Sequence, residues 1–267
     1  DCVTLCSLGL YSNITWVAML CTVHVGGTLV VMPRFDAAAA VDLIAQARVS
    51  HGTFVPLQPE RLLAVPDLDR YDLEGLDTLM CCGSPLPLDI KREFPRRFDC
   101  RLIELYGLTE GLCTILAPED FERKIDSVGK PFLGTDLRII GDDDQEVPDG
   151  NTGEIVGLSP LLMAGYHGND AASSEATWTD GDGTRWLRTG DLGRLDADGF
   201  LYIVDRKKDM ILSGGQNIYP ADIEAVMRRQ PDVAEVRVAG VASGQGGGTT
   251  AAGVGRGGNG GRVWEGE

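Results

Sequence analysis

The chain of 267 residues has no C-x-x-C pair, only three histidines and no apolar run long enough to cross a membrane. Its seven cysteines (Cys2, Cys6, Cys21, Cys81, Cys82, Cys100 and Cys113) are an odd number, and most lie in apolar stretches, where buried free thiols are common. A disulfide framework is not expected; a reducing, cytoplasmic setting is. His24, His51 and His167 are scattered, which argues against a zinc site or a histidine-based nucleophile relay. Basic residues are outnumbered, with Lys and Arg totalling 24 against 40 Asp and Glu for a net charge of −16. That balance excludes nucleic acid as a partner, because phosphate backbones are held by clustered cations. The most apolar opening stretch, residues 14–32, is broken by His24, Gly26, Gly27 and Thr28, so no transmembrane segment is expected. Asp1-Cys2-Val3 has neither a methionine nor a basic region. No cleavable signal peptide is expected, and the N-terminus reads as a cut.

What is present alternates between strand and helix. Residues 28–32 read as a strand closed by Pro33. Asp36 is placed to cap a helix over residues 37–48, with Val41, Ile44 and Ala45 on one face. Further strands are expected over residues 53–55, 76–82 and 102–105, and Pro87 opens a helix to about Phe94. This order predicts an α/β fold with a parallel sheet and crossover helices. Ligands bind beyond the carboxyl ends of such strands. Gly83-Ser84-Pro85 and Tyr106-Gly107-Leu108-Thr109-Glu110 both follow strands and so belong to that edge.

Four stretches are expected. Residues 1–134 are the α/β part, and residues 135–205, with short strands between Gly and Asp turns, form a small antiparallel β-barrel or sheet. Residues 206–241 start a small α+β unit, with Pro220 opening a helix to about Arg229 and a strand over residues 234–238. Residues 242–267 contain 11 glycines in 26 positions and no apolar periodicity. Such a tail is expected to lack structure, since it cannot bury enough surface to offset its chain entropy. A frame shift or truncation after about Val241 would account for it, and the other reading frames of the coding DNA would test this.

The densest chemistry lies in residues 186–209. Leu195 and Phe200-Leu201-Tyr202-Ile203-Val204 are strand-like around a turn at Asp196-Ala197-Asp198-Gly199, with glycine where φ is positive. Asp191 precedes this hairpin and Arg206 follows it, so the two can meet at one end. A carboxylate accepts from hydroxyls and a guanidinium donates in a fork, which suits the two hydroxyls of a ribose. Taken alone, the hairpin reads as a solvated surface turn flanked by a carboxylate and a guanidinium.

Three other segments, in order, accompany this one. Together with it, Cys82-Gly83-Ser84-Pro85-Leu86, Leu105-Tyr106-Gly107-Leu108-Thr109-Glu110 and Ser213-Gly214-Gly215-Gln216-Asn217-Ile218-Tyr219-Pro220 resemble the motifs of the adenylate-forming (AMP-binding) superfamily. That superfamily includes acyl-CoA synthetases, aryl-CoA ligases, luciferases and peptide-synthetase adenylation domains. The resemblance covers roughly residues 1–241. The wording Asp205-Arg206-Lys207-Lys208-Asp209 followed by Ser213-Gly214-Gly215 is that of acyl- and aryl-CoA synthetases.

The resemblance implies an ATP-dependent carboxylate–CoA ligase, in which a small carboxylate attacks ATP to give acyl-AMP and pyrophosphate and CoA then displaces AMP. It implies ATP or AMP and Mg²⁺ as cofactors and coenzyme A as co-substrate. Tyr106, with Gly107, would stack on adenine, although an aromatic after a strand is also an ordinary rim residue. Gly83, Ser84 and Pro85 would wall the adenine and acyl group, or form a plain β–α turn. Thr109 would meet phosphate oxygen and Glu110 the Mg²⁺; the same pair would also suit a helix N-terminus. Asp191 and Arg206 would hold the ribose. Lys208 would be the hinge of a rotating small domain, or part of a solvated loop, and Gly214 and Gly215 would line the pantetheine tunnel. A nucleotide would meet an unfavourable long-range field, compensated locally by Mg²⁺, backbone N–H groups and Arg206.

There are departures. The family's phosphate loop with its lysine and its C-terminal lysine are not among these residues, and Ser12 stands where many members have the histidine of Pro-Leu-Phe-His. An incomplete, weakly active or inactive chain is therefore expected. The alternatives are a peptide-synthetase-type adenylation domain and a non-catalytic AMP-binding remnant.

Overall fold

The computed structural model describes residues 2–213, 216–230, 233, 235–243, 247–255 and 262–264. The chain divides into two units, one of Asp1–Asp136, Leu158–Ala164 and Gly199–Leu201, the other of Leu137–Gly157, Gly165–Asp198 and Tyr202–Glu267.

The first unit runs β1 (Val3–Cys6), α1 (Asn13–His24), β2 (Thr28–Val31), α2 (Ala37–Gln46), β3 (His51–Phe54), α3 (Leu57–Leu63), β4 (Thr78–Cys82), α4 (Leu88–Phe98), β5 (Arg101–Leu108), β6 (Leu112–Leu116) and β7 (Lys130–Pro131). Its seven-stranded sheet has the order β2-β1-β3-β4-β5-β6-β7. The pairs from β2 through β5 are parallel, as expected, and β6 and β7 are added antiparallel. Asp36 caps α2 by accepting from Ala39 N–H at 2.9 Å. Ala40, Val41 and Ile44 of that helix are buried in a core that includes Leu5, Phe54, Leu62, Leu79, Phe94 and Phe98.

Three differences from the sequence reading have local causes. Helix α4 continues past Phe94 through Pro95 to Phe98. Proline in a helix interior clashes with the carbonyl four residues back, but here the extension buries Phe98, which stacks on Phe94 at 4.2 Å. Strand β5 runs on to Leu108, because β6 pairs with it through Leu108↔Leu112. Helix α1 lay unread in the opening apolar stretch because its apolar residues form no single face: Thr15 and Thr22 are the buried positions, while Trp16, Val17 and Leu20 are about half exposed or more.

All seven cysteines are free thiols. Burial pushes the Cys82 thiol up to about 11 and the Cys100 thiol up to about 12, so neither is a ready nucleophile. Among the described residues, no helix is long and apolar enough to cross a membrane.

The second unit is built on an antiparallel sheet of β8 (Asp136–Ile140), β9 (Gly153–Leu158), β10 (Thr177–Thr179), β11 (Arg185–Leu195) and β12 (Leu201–Arg206). Its order is β10-β11-β9-β8, with β12 paired to β11. A short helix, α5 (Asp170–Glu175), precedes β10. Beyond β12 come a β13 (Ile211–Ser213) and β14 (Gln216–Ile218) hairpin, α6 (Pro220–Met227), and a three-stranded sheet of β15 (Glu235–Ser243), β16 (Gly247–Gly255) and β17 (Arg262–Trp264). The segment expected to lack structure thus contributes two strands. The reason is packing: Ala252 and Val254 of β16 cover Ile211, Val236 and Val238, so β-pairing and a few apolar contacts compensate for the glycine content.

Candidate functional site

In the first unit, β4 ends at Cys82, paired to Leu105, and β5 runs three residues further to Leu108. Gly83, Ser84 and Pro85 form an exposed turn after β4, and Leu86 behind them is buried. Tyr106 and Gly107 lie within β5, not beyond it, and Tyr106 is half-buried. Thr109 and Glu110 sit in the tight turn between β5 and β6. The helix N-terminus weighed for them is therefore corrected to a hairpin turn, because the chain reverses instead of crossing over. Gly111 makes that turn possible: its φ is +113°, and a Cβ there would lie 2.1 Å from the Leu161 carbonyl oxygen. The Glu110 carbonyl accepts from Met163 N–H at 2.9 Å, which ties the turn to its neighbouring segment.

Among the described residues, no group of three or more His, Cys, Asp or Glu is placed to hold a metal ion. Glu110 offers one carboxylate beside the exposed Thr109 hydroxyl. Mg²⁺ is often bound through one or two carboxylates plus phosphate oxygens and waters, so this donor set fits an ion that arrives with a nucleotide.

In the second unit, Asp191 lies inside β11, whereas the sequence reading put it before the hairpin. Between Arg188 and Leu192 the register against β9 slips, with Arg188 opposite Val156 and Leu192 opposite Glu154. Residues 189–191 form this bulge, and Gly190 adopts φ +71° within it. Thr189 Oγ1 donates to Ile155 O at 2.8 Å and accepts from Asp191 N–H at 3.0 Å, which fixes the bulge. Lys207 N–H then donates to Gly190 O at 2.9 Å. The result brings Arg206, at the end of β12, to Asp191, with Nε 3.2 Å from Oδ1. The Asp191 side chain is 7% exposed and that of Arg206 58%, so the pair presents a guanidinium to solvent above a buried carboxylate. The turn at residues 196–199 forms as read, with Gly199 at φ +80°. Lys208 is exposed in the turn after β12. Gly214 and Gly215 lie outside the described residues.

Two charged groupings escaped the sequence reading. Glu154, nearly buried, is met by Arg188 at 2.8 Å and by Lys207 at 2.9 Å. Lys91 and Glu104 form an ion pair with side chains only 4% and 3% exposed. Burial pushes the Glu104 carboxyl upward, opposed by Lys91 and by the Leu86 N–H. The available signal was a charge at an apolar position: Lys91 shares the helix face of Phe94 and Phe98, and Glu154 interrupts an apolar strand.

Comparison with known proteins is consistent with this geometry. The model of the family described as "AMP-binding enzyme" matches residues 1–167. The indoleacetate–CoA ligase of Aromatoleum aromaticum is 42% identical over 218 residues, covering 80% of this chain and 41% of the relative. The long-chain-fatty-acid–CoA ligase FadD13 of Mycobacterium tuberculosis is 37% identical, covering 81% of this chain and 42% of the relative. Among solved structures, the o-succinylbenzoate CoA synthetase of Bacillus subtilis in complex with the acyl-adenylate intermediate OSB-AMP matches with a TM-score of 0.82 and 31% identity, covering 95% of this chain and 51% of that one. The chain thus spans half or less of the length of these curated relatives.

Proposed function

Because the chain belongs to the AMP-binding enzyme family, and the curated relatives similar to it include several CoA ligases, we propose that the protein is an ATP-dependent carboxylate–CoA ligase. Carboxylate oxygen attacks the α-phosphorus of ATP and pyrophosphate leaves; CoA sulfur then attacks the acyl carbon of the adenylate and AMP leaves. In such chemistry the protein mainly positions groups and neutralises charge.

The observation that carries the reading is the Asp191–Arg206 pair, drawn together by the bulge in β11. Asp191 accepts from ribose hydroxyls while Arg206 donates to them. Tyr106 offers a face to adenine, with Gly83, Ser84, Pro85 and Gly107 beside it, and Thr109 donates to a phosphate oxygen. Glu110 would hold Mg²⁺, which when bound would neutralise phosphate charge. Lys208 is assigned to the hinge and Gly214 and Gly215 to the passage for the CoA arm. The substrate is a small carboxylate; both aryl and fatty acids appear in the names of similar ligases, and those names favour CoA over a carrier protein as acceptor. A reducing, cytoplasmic setting agrees with seven free thiols. For the 267 residues by themselves, weak AMP binding with little adenylate formation is proposed.

Calorimetric titration with AMP, run separately from an assay of acyl-CoA formation, tests this. Weak binding that Asp191→Ala abolishes is expected. Binding that Asp191→Ala leaves unchanged would remove the ribose assignment.

A further inference from the structure

The buried pair Lys91–Glu104 has no part in the chemistry above, yet it lies directly beneath the nucleotide edge of the first unit. Glu104 precedes Tyr106 by two residues, so both side chains leave β5 on the same face. Its Oε1 accepts from Leu86 N–H at 3.1 Å, the residue that closes the Gly83-Ser84-Pro85 turn. Its other oxygen meets Lys91 of α4. Lys91 Nζ in turn donates to Ile125 O at 2.8 Å and reaches Ser127 O at 3.5 Å. Four backbone segments therefore converge on two side chains: the turn after β4, the middle of β5, the body of α4 and the loop before β7.

A buried ion pair is a weak source of net stability, since desolvation offsets much of its attraction and apolar residues of similar volume often do as well. What it supplies is direction: Glu104 Oε1 accepts from the Leu86 N–H while Lys91 Nζ, paired with the same carboxylate, donates to the Ile125 carbonyl. We propose that Lys91 and Glu104 are positioning residues for nucleotide recognition, holding the Gly83 turn at a fixed place beside Tyr106. The proposal rests on the nucleotide-binding reading above.

The test uses the chain with Lys91→Met, the double variant Lys91→Met/Glu104→Met and the double variant Lys91→Met/Glu104→Gln. Thermal unfolding, AMP affinity by calorimetry and amide exchange at Leu86 are followed for each. Lys91→Met alone strands a buried carboxylate and lowers Tm. The double methionine variant recovers Tm, but its AMP affinity stays roughly tenfold below the parent and Leu86 N–H exchanges faster. The glutamine variant keeps an acceptor for Leu86 N–H and regains most of the affinity. A double methionine variant that recovers both stability and parental AMP affinity overturns the positioning role alone. A parent chain that binds no AMP overturns the nucleotide reading and this role with it.

Discussion

Asp191 draws its geometry from its surroundings. It is held by a backbone bulge, faces an exposed guanidinium, and is nearly buried. Asp191→Asn keeps the shape and removes the charge. Hydrogen bonds to charged groups contribute about 1.5–3 kcal/mol, so AMP affinity is expected to fall by about tenfold or more, measured by calorimetry with circular dichroism as the folding control. Glu104 shows what burial does to a carboxyl. Its folded carboxyl is raised above the unfolded value, with burial as the main cause. Well below the ordinary value of 4.5 both states hold the proton, and as pH climbs the unfolded chain releases it first. Stability from this group is therefore full in acid and is lost as pH rises through the folded value. Glu104→Gln should flatten that part of the stability profile in urea titrations at successive pH values. The identities of Asp191 and Arg206 were legible from their flanking strands, whereas Lys91 and Glu104 were not: spacing does not reveal which two buried charges will meet across a helix and a strand.

Elements were legible where a local signal existed. The Asp36 cap set the start of α2, and the glycine at residue 199 set the hairpin turn. Asp36→Ala should cost about 1 kcal/mol, read as a lower Tm with unchanged secondary structure. Where pairing or packing decided, the sequence was silent. β5 lengthens because β6 folds back on it, and α4 runs through Pro95 to bury Phe98. The hairpin turn carrying Thr109 and Glu110 depends on a left-handed Gly111 against the Leu161 carbonyl. Gly111→Ala combines backbone strain of about 1–3 kcal/mol with a steric clash, so both Tm and AMP affinity should drop. A variant with unchanged AMP affinity would detach that turn from nucleotide binding.

At the scale of the whole molecule, the net charge of −16 sets a long-range field that opposes an anionic nucleotide. Salt confines charge interactions to about 8–10 Å at ordinary ionic strength, so moderate salt should relieve the repulsion more than it weakens the Asp191–Arg206 contact. The rate of AMP association, followed by stopped flow, is expected to rise between low and physiological salt. A falling rate would mean that a local cationic patch dominates.

The residue string by itself determined the alternation of strand and helix, the strand-end placement of the Gly83 turn, the free thiols and the acidic balance, because each depends on periodicity, turn chemistry or composition that acts over a few neighbours. Tertiary structure alone decided the bulge that turns Asp191 toward Arg206, the hairpin beneath Glu110, the strands within the glycine-rich segment and the Lys91–Glu104 pair. These depend on partners far apart along the chain, where register, packing and desolvation have no local signature.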